Sequence, residues 1–364
     1  MAWQKIIAII GGGGLLLAGG LWVNLEIKQK RNNSIEIEQQ TNLSAMSENS
    51  DKGTDFEFLT IPYLRNRDYK SQLEIESEVL EETESWQTYL ASYDSDGYKV
   101  YGLLAIPKGE KPEAGWPTIV FVHGYQYPPT YQTNGRPYRN YWQPLARAGY
   151  AVFKIDLRGH GESEGLAGGG YFGNEYVIDA LNARAALITS GGNLIDGERI
   201  GFWGHSMAGN ILLRALATKP EEIKAAVVWA GAVYSYTDLL KYGITDRTYV
   251  PMTPPPEATV NGENTQEGGN VFRQLMQENP EEVLREIAPT NYLAEIKGAI
   301  SLHHAINDET VSIEYSRDLA KLMAMQQNDF EFFEYQTGDH NLSSPSLETA
   351  MTRTIDFYDR KLKN

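Results

Sequence analysis

Gly204-His205-Ser206-Met207-Ala208-Gly209 is the stretch of this chain that decides its fold. An apolar segment, 199–203, precedes it, and 210–216 has the residue content of a helix. A Gly-x-Ser-x-Gly motif between a strand and a helix is typical of a nucleophile elbow, a turn so tight that the serine backbone is strained. The pattern therefore predicts that the Ser206 hydroxyl stands clear of a sheet, where a base can reach it.

Strand and helix signals alternate on both sides of this motif. Continuous apolar runs, typical of strands covered on both faces, occur at 118–122, 150–155, 199–203, 225–230, 299–305 and 330–335. Helical patterns separate them at 141–148, 176–189, 210–218 and 311–325. Alternation of this kind predicts a mostly parallel sheet with helices on both faces. Three earlier segments, 73–81, 86–93 and 98–106, read as antiparallel edge strands. The sheet is expected to have about eight strands.

The region 234–292 interrupts this alternation and is rich in proline and glycine. Two short helices are expected in it, at 271–278 and 281–286. Because the region follows the nucleophile strand, it would lie over the carboxyl ends of the strands, where open α/β sheets keep their active sites. We expect a cap that shapes substrate access. A peripheral insertion without substrate contact is the alternative.

The N-terminal segment 1–28 contains an uncharged run, 6–23. At about 1.5 Å per residue, this run is just long enough to cross a bilayer core of about 30 Å. We expect a single transmembrane helix that anchors the protein, with a cleaved signal peptide as the alternative. Segment 29–54 is predicted to be a disordered linker, and 55–364 the catalytic domain. Basic residues after the run favour a cytoplasmic C-terminal side, whereas a signal-peptide-like start favours the opposite orientation.

Composition excludes several classes of function. The chain has 364 residues, a formal net charge of −16 and no cysteine. The absence of cysteine excludes disulfides, thiol catalysis and thiolate metal sites. The acidity, with no basic stripe, argues against a nucleic-acid partner. No metal site or phosphate-binding loop is evident, so no cofactor is expected.

A serine hydroxyl becomes a good nucleophile only when a neighbouring base takes its proton. Among six histidines, His340 is the best candidate for that base, because it lies in the loop after the last predicted strand. His303 and His304 lie within an apolar strand, where at least one of them is expected to be packed in the core. His205 lies inside the elbow and is expected to point away from Ser206.

The base needs a carboxylate to orient it. Asp308 follows the strand at 299–305, and the order Ser206, Asp308, His340 is the order that this type of fold requires. Glu309 and Asp339 are competing carboxylates. Acidic residues are common at helix starts, which explains Glu309, and Asp339 is too close to the histidine in sequence to reach its far ring nitrogen.

The oxyanion of a tetrahedral intermediate must be met by backbone N–H groups. Met207, the residue after the nucleophile, is expected to supply one. The loop after the strand at 118–122 should supply the other, and Tyr125 is the candidate because Gly124 lets the backbone turn close to the substrate. We place Gly124, Tyr127 and His205 along the predicted substrate pocket.

Taken together, these segments resemble the α/β-hydrolase superfamily and, within it, the catalytic domains of the prolyl-oligopeptidase-like group. The matching segments are 101–107, 122–124, 156–163, 204–209, 307–311 and 339–340. The resemblance implies a serine peptidase or esterase with Ser206, Asp308 and His340 as its catalytic residues. In segment 156–163, Asp156 is expected to end a strand, and Arg158 and His160 to brace neighbouring loops.

The same resemblance leaves the scissile bond open. Peptidases of this group often carry a large N-terminal β-propeller, and the stretch between the linker and the strand at 118 is too short to hold one. We therefore expect cleavage of an ester or a peptide or amide bond in a small ester or short peptide. A feruloyl-esterase-like carboxylesterase and an acyltransferase are alternatives, and a non-catalytic hydrolase-fold binding protein is a distant one.

Overall fold

A computed structural model describes residues 56–244, apart from 169 and 172, and residues 281–363. The predicted transmembrane run, the linker and the expected helix at 271–278 lie outside these residues. Among the described helices, none is long and apolar enough to cross a membrane. The description that follows concerns the predicted catalytic domain.

In the described part of the chain nine strands form one sheet, where the sequence predicted about eight. The strands are β1 Leu73–Glu82, β2 Trp86–Ser95, β3 Tyr98–Pro107, β4 Trp116–Val122, β5 Ala151–Ile155, β6 Ile195–His205, β7 Ala225–Trp229, β8 Ala299–Ala305 and β9 Phe330–Tyr335. Their order across the sheet is β1-β2-β3-β5-β4-β6-β7-β8-β9. The pairs between β1 and β2, β2 and β3, and β3 and β5 are antiparallel, as predicted for that edge, and the other pairs are parallel.

Eight helices are described. They are α1 Ile61–Arg65, α2 Arg139–Arg147, α3 Glu175–Ser190, α4 Ala208–Thr218, α5 Tyr236–Tyr242, α6 Glu281–Ile287, α7 Glu314–Met325 and α8 Ser346–Tyr358. The four predicted helical patterns correspond to α2, α3, α4 and α7, and the helix expected at 281–286 corresponds to α6. The sequence analysis missed α1, α5 and α8.

The burial of the strands explains why the central ones have continuous apolar sequences. Every residue of β4, β5, β7 and β8 is buried. The edge strand β1 instead alternates apolar and acidic residues and is exposed along almost its whole length. Because parallel strands are covered by helices on both faces, the middle of the sheet forms a rigid platform. The carboxyl ends of β4, β6, β8 and β9 then present four neighbouring loops at one edge of that platform.

A buried ion pair secures the start of the loop after β5. The Arg158 guanidinium contacts Asp179 of α3 at 2.6 Å, and the Arg158 backbone N–H donates to the other carboxylate oxygen at 2.8 Å. Ser95 of β2 donates to the same carboxylate at 2.7 Å. Both charged groups are almost fully buried. Removing one partner of such a pair typically costs about 3–5 kcal/mol, because the other charge is left uncompensated. The bracing predicted for Arg158 is therefore confirmed.

Only the two ends of the region 234–292 lie within the described residues. Helix α5 contacts α7 through Asp318, which accepts a hydrogen bond from Lys241 at 3.0 Å. The Tyr315 hydroxyl of α7 donates to the Gly243 carbonyl at 3.0 Å. The start of the region is thus fixed to the helix that follows the Asp308 loop. That the region caps the active site stays a prediction.

His303 is a packed core histidine, as expected for at least one of the pair in β8. Its ring lies within 2.9 Å of Ser301 Oγ and 2.8 Å of Tyr335 Oη, and it is fully buried. Burial, reinforced by the charge of Arg353, lowers the pKa of His303 from 6.5 to about 3. The ring is therefore neutral in the folded protein across the range in which an unfolded histidine takes up a proton.

This difference predicts a loss of stability in acid. Below about pH 6.5 the unfolded chain binds a proton at His303 that the folded protein does not bind until about pH 3, so protonation favours unfolding. In His303→Gln, the dependence of unfolding free energy on pH between 6 and 4 should be shallower by about 1.4 kcal/mol per pH unit. Urea unfolding at several pH values measures it. Parallel curves for the variant and the wild type would contradict a neutral buried His303.

Candidate active site

The nucleophile elbow forms where β6 passes into α4. Ser206 has a φ of 56°, a left-handed conformation that is strained for a residue with a side chain. Its N–H donates to the Trp229 carbonyl at 2.9 Å, and its carbonyl accepts from Gly209 N at 2.8 Å. A Cβ on Gly209 would lie 2.7 Å from Gly231 Cα, so only glycine lets α4 pack this closely. The strained turn that the motif predicts is therefore present.

Ser206, Asp308 and His340 come together in the arrangement of a hydrolytic triad. His340 Nε2 lies 3.0 Å from Ser206 Oγ, and His340 Nδ1 lies 2.8 Å from Asp308 Oδ2. Both distances are those of hydrogen bonds. The competing Glu309 is exposed, and Asp339 accepts hydrogen bonds from Asn341 N and Ser343 Oγ in its own loop. Asp308 is thus the carboxylate that contacts His340.

Asp308 carries a buried carboxylate that accepts four hydrogen bonds. Its Oδ1 accepts from the backbone N–H groups of Thr310 and Val311, each at 2.9 Å. Its Oδ2 lies 3.1 Å from His304 Nε2, in addition to the contact with His340. Burial by itself would raise the pKa of Asp308, but the hydrogen bonds from the two histidines and the backbone hold it well below its ordinary value. The carboxylate therefore stays ionised below the pH at which an ordinary aspartate takes up a proton.

His304 is a site residue that sequence reasoning missed. Its ring is buried, with Nδ1 2.8 Å from Ser316 Oγ and Nε2 within 3.1 Å of both Asp308 Oδ2 and the Val311 carbonyl. His303 and His304 point to opposite faces of β8, as alternation along a strand requires. The signal that could have identified His304 is its position four residues before Asp308, at the carboxyl end of the strand.

The loop after β4 reaches the nucleophile through Gly124. A Cβ on Gly124 would lie 3.1 Å from Ser206 Cβ and 2.9 Å from the His205 carbonyl, so glycine is required there for the close approach. The Gly124 N–H donates to Tyr138 Oη at 2.8 Å. Tyr125 is the next residue in the loop and carries the N–H predicted to face the oxyanion. Met207, on the other side, is buried, and among the described residues its N–H donates no hydrogen bond.

Tyr138 is the second site residue that sequence reasoning missed. It has a φ of 67° and immediately precedes α2. Its hydroxyl accepts from Gly124 N and lies 3.0 Å from His205 Nδ1, to which it donates. His205 Nε2 in turn donates to the His340 carbonyl at 2.9 Å. A continuous series of hydrogen bonds therefore joins the Gly124 loop, the elbow and the His340 loop.

The expectation that His205 lines the substrate pocket has to be corrected. Its ring is buried, and both of its nitrogens are occupied by Tyr138 and His340. Burial, with the neighbouring His340 as a further contribution, lowers the pKa of His205 to about 3, so the ring is neutral. His205 points away from Ser206, as the steric argument predicted, and supports the loop that carries the base.

Two cavities adjoin these loops. One of about 250 Å³ is bordered by Gln126, Tyr138 and Tyr141 and by Asn341, the residue after His340. The second, of about 180 Å³, lies beside it and is bordered by the exposed Tyr127 and the buried Lys154. Tyr127 thus lines a cavity, but in the described residues this cavity does not include Ser206.

Asp156 holds the loop after β4, which borders both cavities. This buried carboxylate accepts from Tyr131 Oη at 2.7 Å and from the Thr133 hydroxyl. His160 Nε2 lies 3.2 Å from the Gln126 carbonyl of the same loop. The structural roles predicted for Asp156 and His160 agree with these contacts.

Comparison with known proteins identifies the same architecture. Residues 117–263 match the family described as alpha/beta hydrolase fold. An acetyl xylan esterase from Paenibacillus sp. R4 is 20% identical, with a TM-score of 0.55 over 84% of this chain and 95% of its own. The acylaminoacyl peptidase of Pyrococcus horikoshii is 23% identical, with a TM-score of 0.59 over 78% of this chain and 43% of its own. Est1E from Butyrivibrio proteoclasticus, solved with ferulic acid, is 19% identical, with a TM-score of 0.54 over 74% of this chain and 98% of its own.

The chain has the α/β-hydrolase fold. Its structural neighbours include acylaminoacyl peptidases and acetyl xylan esterases, and at these identities the likeness concerns the fold alone. The chain spans less than half the length of the peptidase but nearly the whole length of the acetyl xylan esterase and of Est1E.

The hydrogen bonds of Tyr138 predict a catalytic rather than a purely structural effect. In Tyr138→Phe, the Gly124 N–H and His205 Nδ1 both lose their partner, so the loop that faces the nucleophile is no longer held in place. We expect kcat of hydrolysis to fall about ten- to a hundred-fold with a small change in KM, because pre-organised donors act mainly in the transition state. Steady-state kinetics measure the two parameters.

Tyr150→Phe is the matched control. Its hydroxyl donates to Asp359 Oδ1 at 2.7 Å and takes no part in the series of bonds. An equal loss of kcat in both variants would show that the hydroxyl of Tyr138 has no special position.

Proposed function

We propose that the protein is a serine hydrolase that forms an acyl-enzyme on Ser206 and hydrolyses a carboxylic ester. The observation that carries the proposal is the pair of hydrogen bonds from Ser206 Oγ to His340 and from His340 to Asp308, at 3.0 Å and 2.8 Å. A non-catalytic binding protein would have no need for a strained serine aligned with a base and an ionised carboxylate.

Each residue has a defined role in the proposed reaction. His340 Nε2 takes the hydroxyl proton as Ser206 Oγ attacks the substrate carbonyl, and Asp308 stabilises the imidazolium that forms. The N–H groups of Met207 and Tyr125 donate to the oxyanion of the tetrahedral intermediate. His340 then gives its proton to the leaving group, and a water molecule activated in the same way releases the acid and regenerates the hydroxyl.

The preference for an ester over a peptide rests on the comparison of architectures. The acetyl xylan esterase and Est1E are matched over 95% and 98% of their lengths, whereas the peptidase is matched over 43%. A peptidase or amidase acting on a short peptide is the second candidate, which the likeness to acylaminoacyl peptidases favours. Both candidates use the same triad and differ in the leaving group that His340 protonates. Acyl transfer to an alcohol or amine would use the same residues.

Active-site labelling tests the nucleophile. A fluorophosphonate probe should label the wild-type protein, because it reacts with serines activated by a histidine, and should not label Ser206→Ala. Asp308→Asn should label more slowly and reduce kcat by about 10⁴-fold. Ser163→Ala, at a serine whose hydroxyl accepts from Tyr101 N at 2.9 Å outside the triad, is the matched control and should label normally. Labelling that survives Ser206→Ala would refute the proposal.

A substrate panel separates the two candidates. p-Nitrophenyl acetate and butyrate should be cleaved with kcat/KM at least about a hundred-fold higher than aminoacyl and acyl-dipeptidyl p-nitroanilides. Values for the anilides that equal or exceed those for the esters would identify a peptidase. Product analysis with added alcohol or amine acceptors reveals any acyl transfer.

A further inference from the structure

The cavity of about 250 Å³ near the His340 loop is bordered by four polar side chains, two tyrosines and Pro137. Three amide side chains border it, those of Gln126, Asn140 and Asn341, together with the guanidinium-bearing Arg136. No aspartate or glutamate is among its lining residues. Such a wall offers hydrogen-bond donors and one positive charge to whatever occupies the cavity.

Two of the lining residues connect this cavity to the loops of the triad. Asn341 directly follows His340, whose Nε2 lies 3.0 Å from Ser206 Oγ. Tyr138 accepts the N–H of Gly124, and a Cβ on Gly124 would lie 3.1 Å from Ser206 Cβ. The cavity therefore adjoins the loops that carry the base and Gly124, and neither Ser206 nor His340 is among its lining residues.

Arg136 differs from its neighbours in having no acidic partner. Its side chain is exposed, and within the described residues it has neither an ion pair nor a hydrogen bond. Arg139, three residues further on, is held by Glu81 at 2.6 Å and by Asn134 at 2.8 Å. In the same part of the fold, Lys154 is buried and occupied by Tyr131 and Asp156. Arg136 is thus the cation of this region that remains available to a ligand.

Asp339 is an acidic group whose charge reaches the cavity wall. Burial and, after it, the charge of Asp339 raise the pKa of Tyr141, which borders the cavity, to about 12. The carboxylate of Asp339 accepts from Asn341 N at 2.9 Å and from Ser343 Oγ at 3.2 Å within its own loop. Its negative charge opposes the binding of an anion, so a carboxylate in the cavity depends on the charge of Arg136.

We propose that the cavity around Arg136 is a subsite for a carboxylate carried by the substrate. The guanidinium fork matches the two oxygens of a carboxylate and binds them through two parallel hydrogen bonds. The amides of Gln126, Asn140 and Asn341 supply further neutral donors without repelling an anion. The proposal rests on the proposed hydrolase function and adds a class of substrate to it: esters that bear a free acid group close to the scissile bond.

The carboxylate can lie on the acyl side or on the leaving-group side of the ester, and two matched pairs of substrates distinguish these sources. The acyl pair is the mono-p-nitrophenyl ester of adipic acid and its methyl-capped analogue. The leaving-group pair is 3-acetoxybenzoate and its methyl ester. Within each pair the scissile bond is the same and only the negative charge differs.

The wild-type protein should prefer the charged member of at least one pair, and Arg136→Gln should reduce that preference about ten-fold, mainly through KM. Arg136→Lys should give an intermediate ratio, because the charge remains and the fork is lost. Arg147→Gln removes an exposed arginine at the end of α2, outside the cavity, and should leave the ratio unchanged. A charged-to-neutral ratio that is equal in wild type and Arg136→Gln for both pairs would overturn the proposal.

A direct binding measurement separates failure of this inference from failure of the proposed function. Calorimetric titration of Ser206→Ala measures binding without turnover. This variant should bind monomethyl adipate more tightly than dimethyl adipate, and the double variant Ser206→Ala with Arg136→Gln should bind the two equally. Labelling of Ser206 in Arg136→Gln by the fluorophosphonate probe reports that the variant is folded. Normal labelling together with equal affinity of Ser206→Ala for the two adipates would refute the carboxylate subsite without refuting the proposed hydrolase function.

Discussion

The ionised carboxylate of Asp308 is the group on which the rest of the site depends. Taking a charge out of water costs several kcal/mol unless hydrogen bonds replace the lost solvation. Four donors do so, and two of them are backbone N–H groups of the same loop, Thr310 and Val311. The Asp308 carboxylate therefore stabilises the conformation of the loop 308–311, and the loop in turn orients the carboxylate toward His340. His304 supplies a further donor from inside β8, so the carboxylate is held from the sheet as well.

The position of His340 depends in turn on this fixed charge and on a second attachment. Its ring is aligned by Asp308, and its backbone carbonyl accepts from His205 at 2.9 Å. Through His205 and Tyr138 the same attachment reaches Gly124, whose loop carries one of the proposed oxyanion donors. Because nucleophile, base and oxyanion loop share one network, their contributions are not independent, and the effects of substitutions along it will not add. A network of this kind holds the hydrogen-bond donors in their catalytic positions before the substrate binds. Such pre-organisation is the main source of electrostatic catalysis.

The sequence predicted the parts of this arrangement that have local signals. The elbow at Ser206 has a motif, the buried strands have continuous apolar runs, and Asp308 and His340 follow two such strands. Tyr138 and His304 have no such signal. Tyr138 meets Gly124 across fourteen residues of irregular loop, and a histidine in an apolar strand looks the same whether it packs in the core, as His303 does, or contacts a carboxylate, as His304 does. Helix α7 begins at Glu314, later than the predicted 311, because Asp308 holds Val311 N in a turn. The apolar pattern predicts the helix but does not show the turn at Asp308 that delays its start.

The protein has a negative net charge, but the cavity wall carries the positive charge of Arg136. The charge nearest to a ligand decides what the site can bind. The net charge of −16 would repel an anionic substrate at long range. At 0.1 M ionic strength the Debye length is about 10 Å, so most of that repulsion is screened. At contact distance the groups that matter are those in the cavity wall, where Arg136 has no ion-pair partner among the described residues. An acidic surface also disfavours anions elsewhere on the molecule, so a guanidinium in this cavity would be selective as well as attractive. The acidity that excludes nucleic acid is therefore compatible with a carboxylate-bearing substrate, provided that it binds where Arg136 lies.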